Sequence, residues 1–275
     1  MNKTFVIAEA AATHDGDFVK ATALIARAVR IGADAIKFQW CSSPARLCER
    51  RHVPEYLGAY RLLAFPHAWF GDLAETCERV GIEFMCTVYL PEDIAVVAPH
   101  VKRFKVSSFE ATDTYFVALH GEWPDIALIV SAGMSANVEP SLNGYYNIVA
   151  THGIGIRNPV AVLHCVSAYP CPAEQIGLAA IRHESWGGPR LTGLSDHTRH
   201  PWTGALAVAA GAKIVEFHIR LDDTDPSNSD YAVARSPEEA RVYVENIRTA
   251  EAMLGDGLRG IQPCEEPMLR YRVRP

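Results

Sequence analysis

The chain has 275 residues, a formal net charge of −6 at pH 7 and 49% hydrophobic residues. This composition excludes a disordered, collagen-like or coiled-coil protein, and the acidic balance argues against binding to nucleic acid or a membrane surface. The seven cysteines are scattered and form no CxxC pair, which predicts free thiols and a cytoplasmic protein. The first apolar run is short and contains Glu9, and no apolar stretch approaches the roughly 18–20 residues of a membrane span, so we expect neither a signal peptide nor a span.

Short apolar runs alternate with longer stretches of helical pattern along the chain. The apolar runs lie at residues 5–9, 34–39, 83–88, 103–108, 126–132, 160–165, 190–195 and 213–218. The predicted helices lie at residues 17–31, 68–81, 137–150, 174–184, 200–211 and 237–253. Each run is almost continuously apolar, which is typical of strands covered on both faces. The pattern predicts an α/β protein with the single-domain architecture of a (β/α)8 TIM barrel. An open doubly wound sheet is the rival, but the first and last runs both look buried, which favours closure.

Some boundaries can be predicted from local signals. Ser236 is expected to cap the last helix together with Glu239, three residues later, in a capping box. The segment 41–66 is predicted to be irregular. We assign residues 1–255 to the barrel and residues 256–275 to a surface extension.

Polar residues gather where the predicted strands end. In a TIM barrel these ends and the loops after them carry the working groups. The residues are Glu9, His14, Lys37, Gln39, Thr87, Lys105, Ser108, Glu110, Ser131, His164, Ser167, Tyr169, Ser195, Asp196, His197, Glu216 and His218.

Lys37 and Lys105 stand inside apolar runs, where an ammonium group needs an anionic partner. One interpretation is a structural ion pair for each lysine, and the candidate partners are Glu9, Glu110 and Glu216. The other is an anion-binding cradle on the barrel axis for a phosphate or carboxylate. Further hydrogen bonds in such a cradle would come from Ser108, Ser131, Ser167 and Ser195. No glycine-rich phosphate loop precedes either lysine, which argues against a nucleotide site.

His197 and His218 end the seventh and eighth predicted strands, which are neighbours in a barrel. Two neutral imidazoles so placed are either satisfied core residues or ligands of a divalent metal with positions left open for water and substrate. Glu9 is a candidate general base, with a salt bridge to Lys37 as the alternative. His14 is expected to be solvated in the first loop.

An ordered set of motifs resembles the catalytic barrel of the sialic acid (N-acetylneuraminate) synthase family. The matching stretches span most of residues 5–250 and are IAEAAATHDGD (7–17), GADAIKFQ (32–39), FMCT (84–87), FKVSSFEATD (104–113), LIVSAGM (128–134), LHCVSAYPCP (163–172), GLSDHT (193–198) and GAKIVEFHIRLDD (211–223). The most specific part is HCxSxYP, followed by SDHT and then the ExH strand. The resemblance implies an enzyme that condenses phosphoenolpyruvate with an aldose to make a 2-keto-3-deoxy, nonulosonate-like acid and phosphate.

The resemblance also implies roles for individual positions. The residues that match contacts to phosphoenolpyruvate are Lys37, Lys105, Ser108, Ser195, Ser167, Thr87 and Ser131. The residues that match family contacts to the metal-bound water or to the acceptor sugar are Glu9, Gln39, Tyr169 and Asp230. His197 and His218 match the two metal-binding imidazoles, and the family metal is typically Mn²⁺ or Mg²⁺. We take Glu9, Lys37, Lys105 and His218 as the catalytic set.

Departures from the family pattern cluster on the acceptor side. Family members usually carry a further antifreeze-like domain whose arginine reaches the partner's acceptor sugar, and the sequence offers no match to it. Four changes lie near the predicted acceptor: Thr13 in THDG, Trp40 after Gln39, VYLPED at 88–93, and no Pro-Gly-Pro before Asp230. These changes predict an altered acceptor. The candidates to replace the missing arginine are Arg46, Arg50, Arg235 and Arg270.

Two other functions stay open at this stage. One is a metal-dependent aldolase or lyase that acts on a keto acid, and the other is a non-catalytic binding protein built on the same barrel. The expected partners are phosphoenolpyruvate and an aldehyde or sugar acceptor, without nucleic acid or membrane. Members of the resembled family often pair as homodimers, and a homodimer is the assembly that the resemblance implies.

Overall fold

Eight parallel strands close into a barrel in which each strand pairs with the next along the chain and β8 pairs with β1. The computed structural model describes residues 3–134, 137–151, 160–182, 191–255, 257 and 260–273. The strands are β1 (Phe5–Ala11), β2 (Ala35–Trp40), β3 (Glu83–Val88), β4 (Arg103–Val106), β5 (Ala127–Ala132), β6 (Val160–Cys165), β7 (Leu191–Asp196) and β8 (Ile214–His218). The predicted barrel is confirmed, and the open-sheet alternative is wrong.

The α-helices lie between the strands and after β8. They are α1 (Phe18–Arg30), α2 (Pro44–Arg51), α3 (Leu57–Arg61), α4 (Trp69–Val80), α5 (Asp93–Val97), α6 (Thr114–Leu119), α7 (Glu139–Thr151), α8 (Thr203–Ala209) and α9 (Pro237–Leu254). The capping box predicted at α9 is present, with the Ser236 and Glu239 side chains each bonded to the other's backbone N–H. No helix in the described part of the chain is long and apolar enough to cross a membrane.

Two helix predictions need correction. The segment 41–66 was expected to be irregular, but it contains α2 and α3; Ser43 caps α2 and Pro44 begins it. The helix predicted at 174–184 is replaced by two short 3₁₀ helices, Ala173–Gln175 and Leu178–Arg182. Gly177 between them has a φ of +61°, which breaks the helical path. Residues 183, 184 and 190 of the predicted elements lie outside the described residues.

Side chains along each strand point alternately to the outside and the inside of the barrel, and both sides are apolar near the strand starts, so the apolar runs are continuous. Outward residues pack under the helices in the main core, as Val6, Ile36 and Phe38 do. Inward residues near the strand starts fill the bottom of the barrel and include Ile7, Ala35, Met85, Ile129, Ala161, Leu163 and Ile214. The next inward position on β2 is Lys37, and on β8 it is Glu216. The barrel interior therefore changes from apolar to charged toward the carboxyl ends of the strands, where a barrel enzyme carries its site.

The C-terminal extension is exposed where it is described. Its Pro263–Tyr271 stretch forms a 3₁₀ helix without a buried residue. This agrees with the expected surface segment, while the assignment of domain boundaries stays a prediction.

Candidate active site

A pocket opens at the carboxyl ends of the strands, directly above the apolar barrel floor. It encloses about 310 Å³ of space, including its open mouth. The lining residues are Glu9, Lys37, Gln39, Thr87, Tyr89, Lys105, Ser107, Ser108, Ser131, Cys165, Tyr169, His197, Glu216 and His218. Nearly all the predicted site residues are therefore gathered in one place. Among the residues predicted to bind substrate or metal, Ser167, Ser195 and Asp230 are outside the lining, and each lies against a residue of it.

A β-bulge on β1 aims Glu9 into the pocket. The pairing register with β2 shifts between Glu9 and Ala11, and Ala11 has a φ of +47°. The bulge turns the Ala11 N–H toward the carboxylate, and it donates to Glu9 Oε1 at 2.7 Å. The other oxygen, Oε2, accepts a hydrogen bond from Lys37 Nζ. Both oxygens of this fully buried carboxyl are thus held in place.

Glu216 is shared between the two buried lysines. Its Oε2 lies 3.5 Å from Lys37 Nζ and its Oε1 lies 3.5 Å from Lys105 Nζ. Lys37 also donates to Thr87 Oγ1 at 2.9 Å, and Lys105 donates to Ser131 Oγ at 2.8 Å. The predicted ion-pair partners Glu9 and Glu216 are confirmed. Glu110 contacts neither lysine and instead binds Arg51 at 2.6 Å, so it is excluded from the lysine array.

Burial and these neighbours set the ionisation of the array. Burial raises the pKa of Glu9 to about 7, although Lys37 opposes the shift. Burial also lowers the pKa of Lys105, while for Lys37 the nearby carboxylates outweigh burial and raise it. The two lysines outweigh burial at Glu216 and lower its pKa. Near neutral pH, two ammonium groups therefore face one ionised carboxylate and one carboxyl poised to take up a proton.

Hydroxyl groups complete one wall of the pocket. Ser108 Oγ and Ser167 Oγ lie 2.8 Å apart, and Ser195 Oγ donates to Glu216 Oε1 at 3.1 Å. Gly133 makes this arrangement sterically possible, since a Cβ there would lie 2.3 Å from Ser167 Oγ and 3.0 Å from Ser108 Cβ. The serines predicted for the anion cradle thus stand around the Lys105 side of the pocket.

The two imidazoles face each other across the β7–β8 edge of the pocket. The ring centroids of His197 and His218 are 5.5 Å apart, and the Tyr169 ring lies 4.1 Å from that of His197. His197 Nδ1 bonds to the carbonyl of Val166 at 2.7 Å, so it is this nitrogen that carries the proton. Burial lowers the pKa of both histidines, which keeps the imidazoles neutral.

Asp230 stands behind His218. Its Oδ1 lies 3.7 Å from His218 Nδ1, and its Oδ2 accepts a long hydrogen bond of 3.4 Å from the Ala12 N–H. Burial raises the pKa of this carboxyl to about 6. Within the described ranges, no three His, Cys, Asp or Glu side chains converge as a set of metal ligands.

Several sequence-based placements are wrong. His14 is fully buried among Phe38, Phe65 and Trp69 and is not solvated, and burial lowers its pKa to about 4. His164 lies outside the pocket, because its position on β6 faces outward and its Nε2 bonds to the Ile176 carbonyl at 2.5 Å.

The arginines proposed to reach the acceptor are engaged elsewhere. Arg235 is 1% exposed and binds the buried carboxylate of Asp196 at 2.8 Å, on the outer side of the barrel. Arg46 pairs with Glu92, and Arg50 pairs with Asp113 at 2.6 Å. Arg270 lies against the Tyr271 ring in the exposed extension. None of these guanidinium groups lines the pocket.

Tyr89, Ser107 and Cys165 line the pocket but were not predicted as site residues. The inward alternation of β3 beyond Thr87 could have indicated Tyr89, since it stands two residues later. The same alternation could have indicated Ser107, two residues after Lys105, and Cys165, two residues after the inward Leu163.

Comparisons with known proteins show the family of the chain and match its fold. The NeuB family model matches residues 24–259. N,N'-diacetyllegionaminic acid synthase of Legionella pneumophila is 30% identical over 282 residues, which cover 98% of this chain and 78% of the relative. Pseudaminic acid synthase of Campylobacter jejuni is 31% identical over 291 residues, with 98% and 80% coverage. The crystal structure of N-acetylneuraminic acid synthetase from Leptospira borgpetersenii, solved with citrate, superposes with a TM-score of 0.84 at 26% identity, covering 98% of this chain and 92% of that one. The chain belongs to the NeuB family.

Proposed function

We propose that this protein condenses phosphoenolpyruvate with an aldehyde or sugar acceptor to give a 2-keto-3-deoxy acid and inorganic phosphate. The observation that carries the proposal is the pair of buried ammonium groups, Lys37 and Lys105, which share the carboxylate of Glu216 in a pocket lined by hydroxyl groups. The named relatives are synthases of N,N'-diacetyllegionaminic acid and pseudaminic acid, and the family match covers most of the chain.

The charge balance of the pocket favours an anionic ligand. When Glu9 holds a proton, two ammonium groups face one ionised carboxylate, which leaves a net positive charge in a site shielded from water. A phosphate or carboxylate placed there would complete the ion pairs, and its remaining oxygens would accept hydrogen bonds from Ser108, Ser131 and Thr87. Lysines on an exposed surface would show no such preference for an anion, because water would compete with the anion for their ammonium groups.

The donor set at the β7–β8 edge fits a divalent metal, for which we propose Mn²⁺ or Mg²⁺. His218 Nδ1 is buried without a hydrogen-bond partner, and His197 uses its Nδ1 proton on a carbonyl, which leaves its Nε2 lone pair free. Both imidazoles are neutral, as metal ligands must be. His197 and His218 would hold the ion, which would act as a Lewis acid toward the acceptor carbonyl.

In the proposed reaction, C3 of phosphoenolpyruvate forms a bond to the acceptor aldehyde carbon, whose oxygen takes a proton. Water adds to C2, and the bond between C2 and the bridging oxygen breaks as phosphate leaves. Glu9 is placed to move protons for that water, because its pKa of about 7 lets it act as acid and base near neutral pH. Lys37 and Lys105 hold the phosphate oxygens as negative charge passes to the leaving group.

We further propose that the protein works in a reducing cytoplasm. All seven cysteines are free thiols, and six of them are buried. Unpaired thiols in this number are typical of proteins that are kept reduced.

Release of inorganic phosphate from phosphoenolpyruvate tests the proposal. The purified protein is mixed with phosphoenolpyruvate, Mn²⁺ or Mg²⁺ and a panel of aldoses and 2-acetamido-2-deoxyaldoses. The released phosphate is measured, and the masses of the products are determined by mass spectrometry. We expect phosphate release that depends on one class of acceptor, with a product whose mass equals acceptor plus pyruvate. Release without an acceptor, or cleavage of a keto acid to pyruvate without phosphate chemistry, would contradict it.

A further inference from the structure

Tyr89 is a buried phenol in the pocket that the reaction outlined above does not use. It is 4% exposed and comes directly after β3. Because it stands two residues after Thr87, its side chain faces the inside of the barrel, as that of Thr87 does. Its hydroxyl hydrogen-bonds to Oε1 of Gln39. Gln39 is the outermost inward residue of β2, two residues beyond Lys37 and therefore nearer the mouth than the lysine array.

This contact determines which end of the Gln39 amide faces the pocket. A neutral phenol has one proton to donate, and the amide oxygen is the acceptor that receives it. Burial raises the pKa of Tyr89 well above its ordinary value, so the phenol keeps that proton. With Oε1 engaged, the amide presents its NH₂ group, and in the described part of the chain no acceptor is bonded to it.

A half-buried guanidinium holds Tyr89 in place. Arg51, at the end of α2, lies 4.7 Å over the Tyr89 ring. Two of its nitrogens donate to Glu110 Oε1, at 2.9 and 2.6 Å, and a third donates to the Tyr60 hydroxyl at 3.1 Å. A cation over an aromatic face is an attractive contact, and here it fixes the plane of the ring. The segment 41–66 is thereby connected to the amide at the pocket mouth.

We infer that Tyr89 is a specificity-determining residue: it orients Gln39 so that the amide donates to the acceptor, and it thereby selects acceptors with a hydroxyl or carbonyl oxygen at that point. The inference rests on the proposed function. An acceptor lacking that oxygen leaves the NH₂ group without a partner once water is excluded, which weakens binding of that acceptor.

Substitution of Tyr89 by Phe tests the inference, because it removes the hydroxyl and keeps the ring under Arg51. We expect kcat/KM for the acceptor to fall roughly 3- to 10-fold, mainly through KM, because the amide loses its fixed orientation. The affinity for phosphoenolpyruvate, measured by calorimetry, is expected to stay unchanged. Tyr60→Phe is the matched control, since it removes the hydroxyl that accepts a hydrogen bond from Arg51, and Tyr60 does not line the pocket.

Gln39→Glu tests the direction of the hydrogen bond. The carboxylate still accepts from Tyr89 but can no longer donate to the acceptor, so we expect a loss of roughly 100-fold in kcat/KM for the acceptor. If the amide oxygen of Gln39 instead faced the pocket, Gln39→Glu would lower kcat/KM for the acceptor no more than Tyr89→Phe does.

The outcomes separate this inference from the proposed function. Phosphoenolpyruvate binding and acceptor-dependent phosphate release in wild type, together with an acceptor KM unchanged by Tyr89→Phe, would overturn the inference alone. An equal effect of Tyr60→Phe would also overturn it, because the Arg51 stack would then act as general support. Absence of phosphate release with every acceptor would overturn the proposed function and the inference with it.

Discussion

Removing the charge of Glu216 should lower the stability of the protein and at the same time tighten anion binding in the pocket. Its carboxylate lies 3.5 Å from the ammonium groups of both Lys37 and Lys105, and all three side chains are at most 5% exposed. At an effective dielectric constant of 20, each contact amounts to about 5 kcal/mol of attraction before desolvation is counted. Because breaking a buried ion pair costs about 3–5 kcal/mol in practice, we expect Glu216→Gln to lose about 3 kcal/mol of unfolding free energy.

This loss corresponds to a fall in Tm of roughly 6–12 °C for a domain of this size. The two lysines would then lack their shared counter-charge, so phosphoenolpyruvate and inorganic phosphate should bind the variant at least roughly 10-fold more tightly. Either ligand should also raise its Tm more than that of the wild type. Differential scanning fluorimetry and calorimetry measure both effects.

Glu110→Gln is the control for Glu216→Gln. Glu110 is equally buried, but its partner is Arg51. It should lower the Tm without tightening phosphate binding. If Glu216→Gln unfolds at the wild-type temperature, or binds both anions no better than wild type, the carboxylate is not the counter-charge of the lysines.

Three further predictions concern single positions. Gly133→Ala should weaken phosphoenolpyruvate binding roughly 10-fold by calorimetry with the circular dichroism unchanged, since the new Cβ would lie 2.3 Å from Ser167 Oγ; unchanged affinity would contradict the assigned hydroxyl wall. Glu9→Gln should keep phosphoenolpyruvate binding but stop phosphate release, and equal turnover would refute its role. Burial lowers the pKa of His120 from 6.5 to about 4, so the neutral imidazole favours the folded state. This contribution to the free energy of unfolding is complete above pH 6.5, and about 3 kcal/mol of it is lost as the pH falls to 4. Urea unfolding of His120→Met should show a flatter slope over this range, whereas Phe116→Leu beside it should lower stability and keep the slope.

The barrel and much of the pocket could be predicted because both depend on short-range patterns. Eight continuous apolar runs require cover on both faces, and charges inside such runs must face the axis near the strand ends. Lys37 shows this most clearly, since Ile36 and Phe38 on either side of it pack outward under the helices. The same alternation places Glu216 inward.

The errors arose where contacts between distant residues decide the outcome. His14 looks like a loop residue, but aromatic side chains some fifty residues later bury it. Arg235 lies in a polar loop by sequence, and its partner Asp196 comes from a different strand. The role of Tyr89 depends on Arg51, which lies in a segment predicted to be irregular. Local patterns carry no information on such pairings.

Calorimetric titration of phosphoenolpyruvate into wild-type protein and the Lys105→Ala variant tests directly whether the buried lysines bind an anion. We expect binding to wild type and a loss of affinity of roughly 10- to 100-fold in the variant, because one charge-assisted hydrogen bond disappears. Lys102→Ala, an exposed lysine just before β4, should bind like wild type. Absence of binding to wild type, or equal affinity in Lys105→Ala, would contradict the assignment of the buried lysines as an anion cradle.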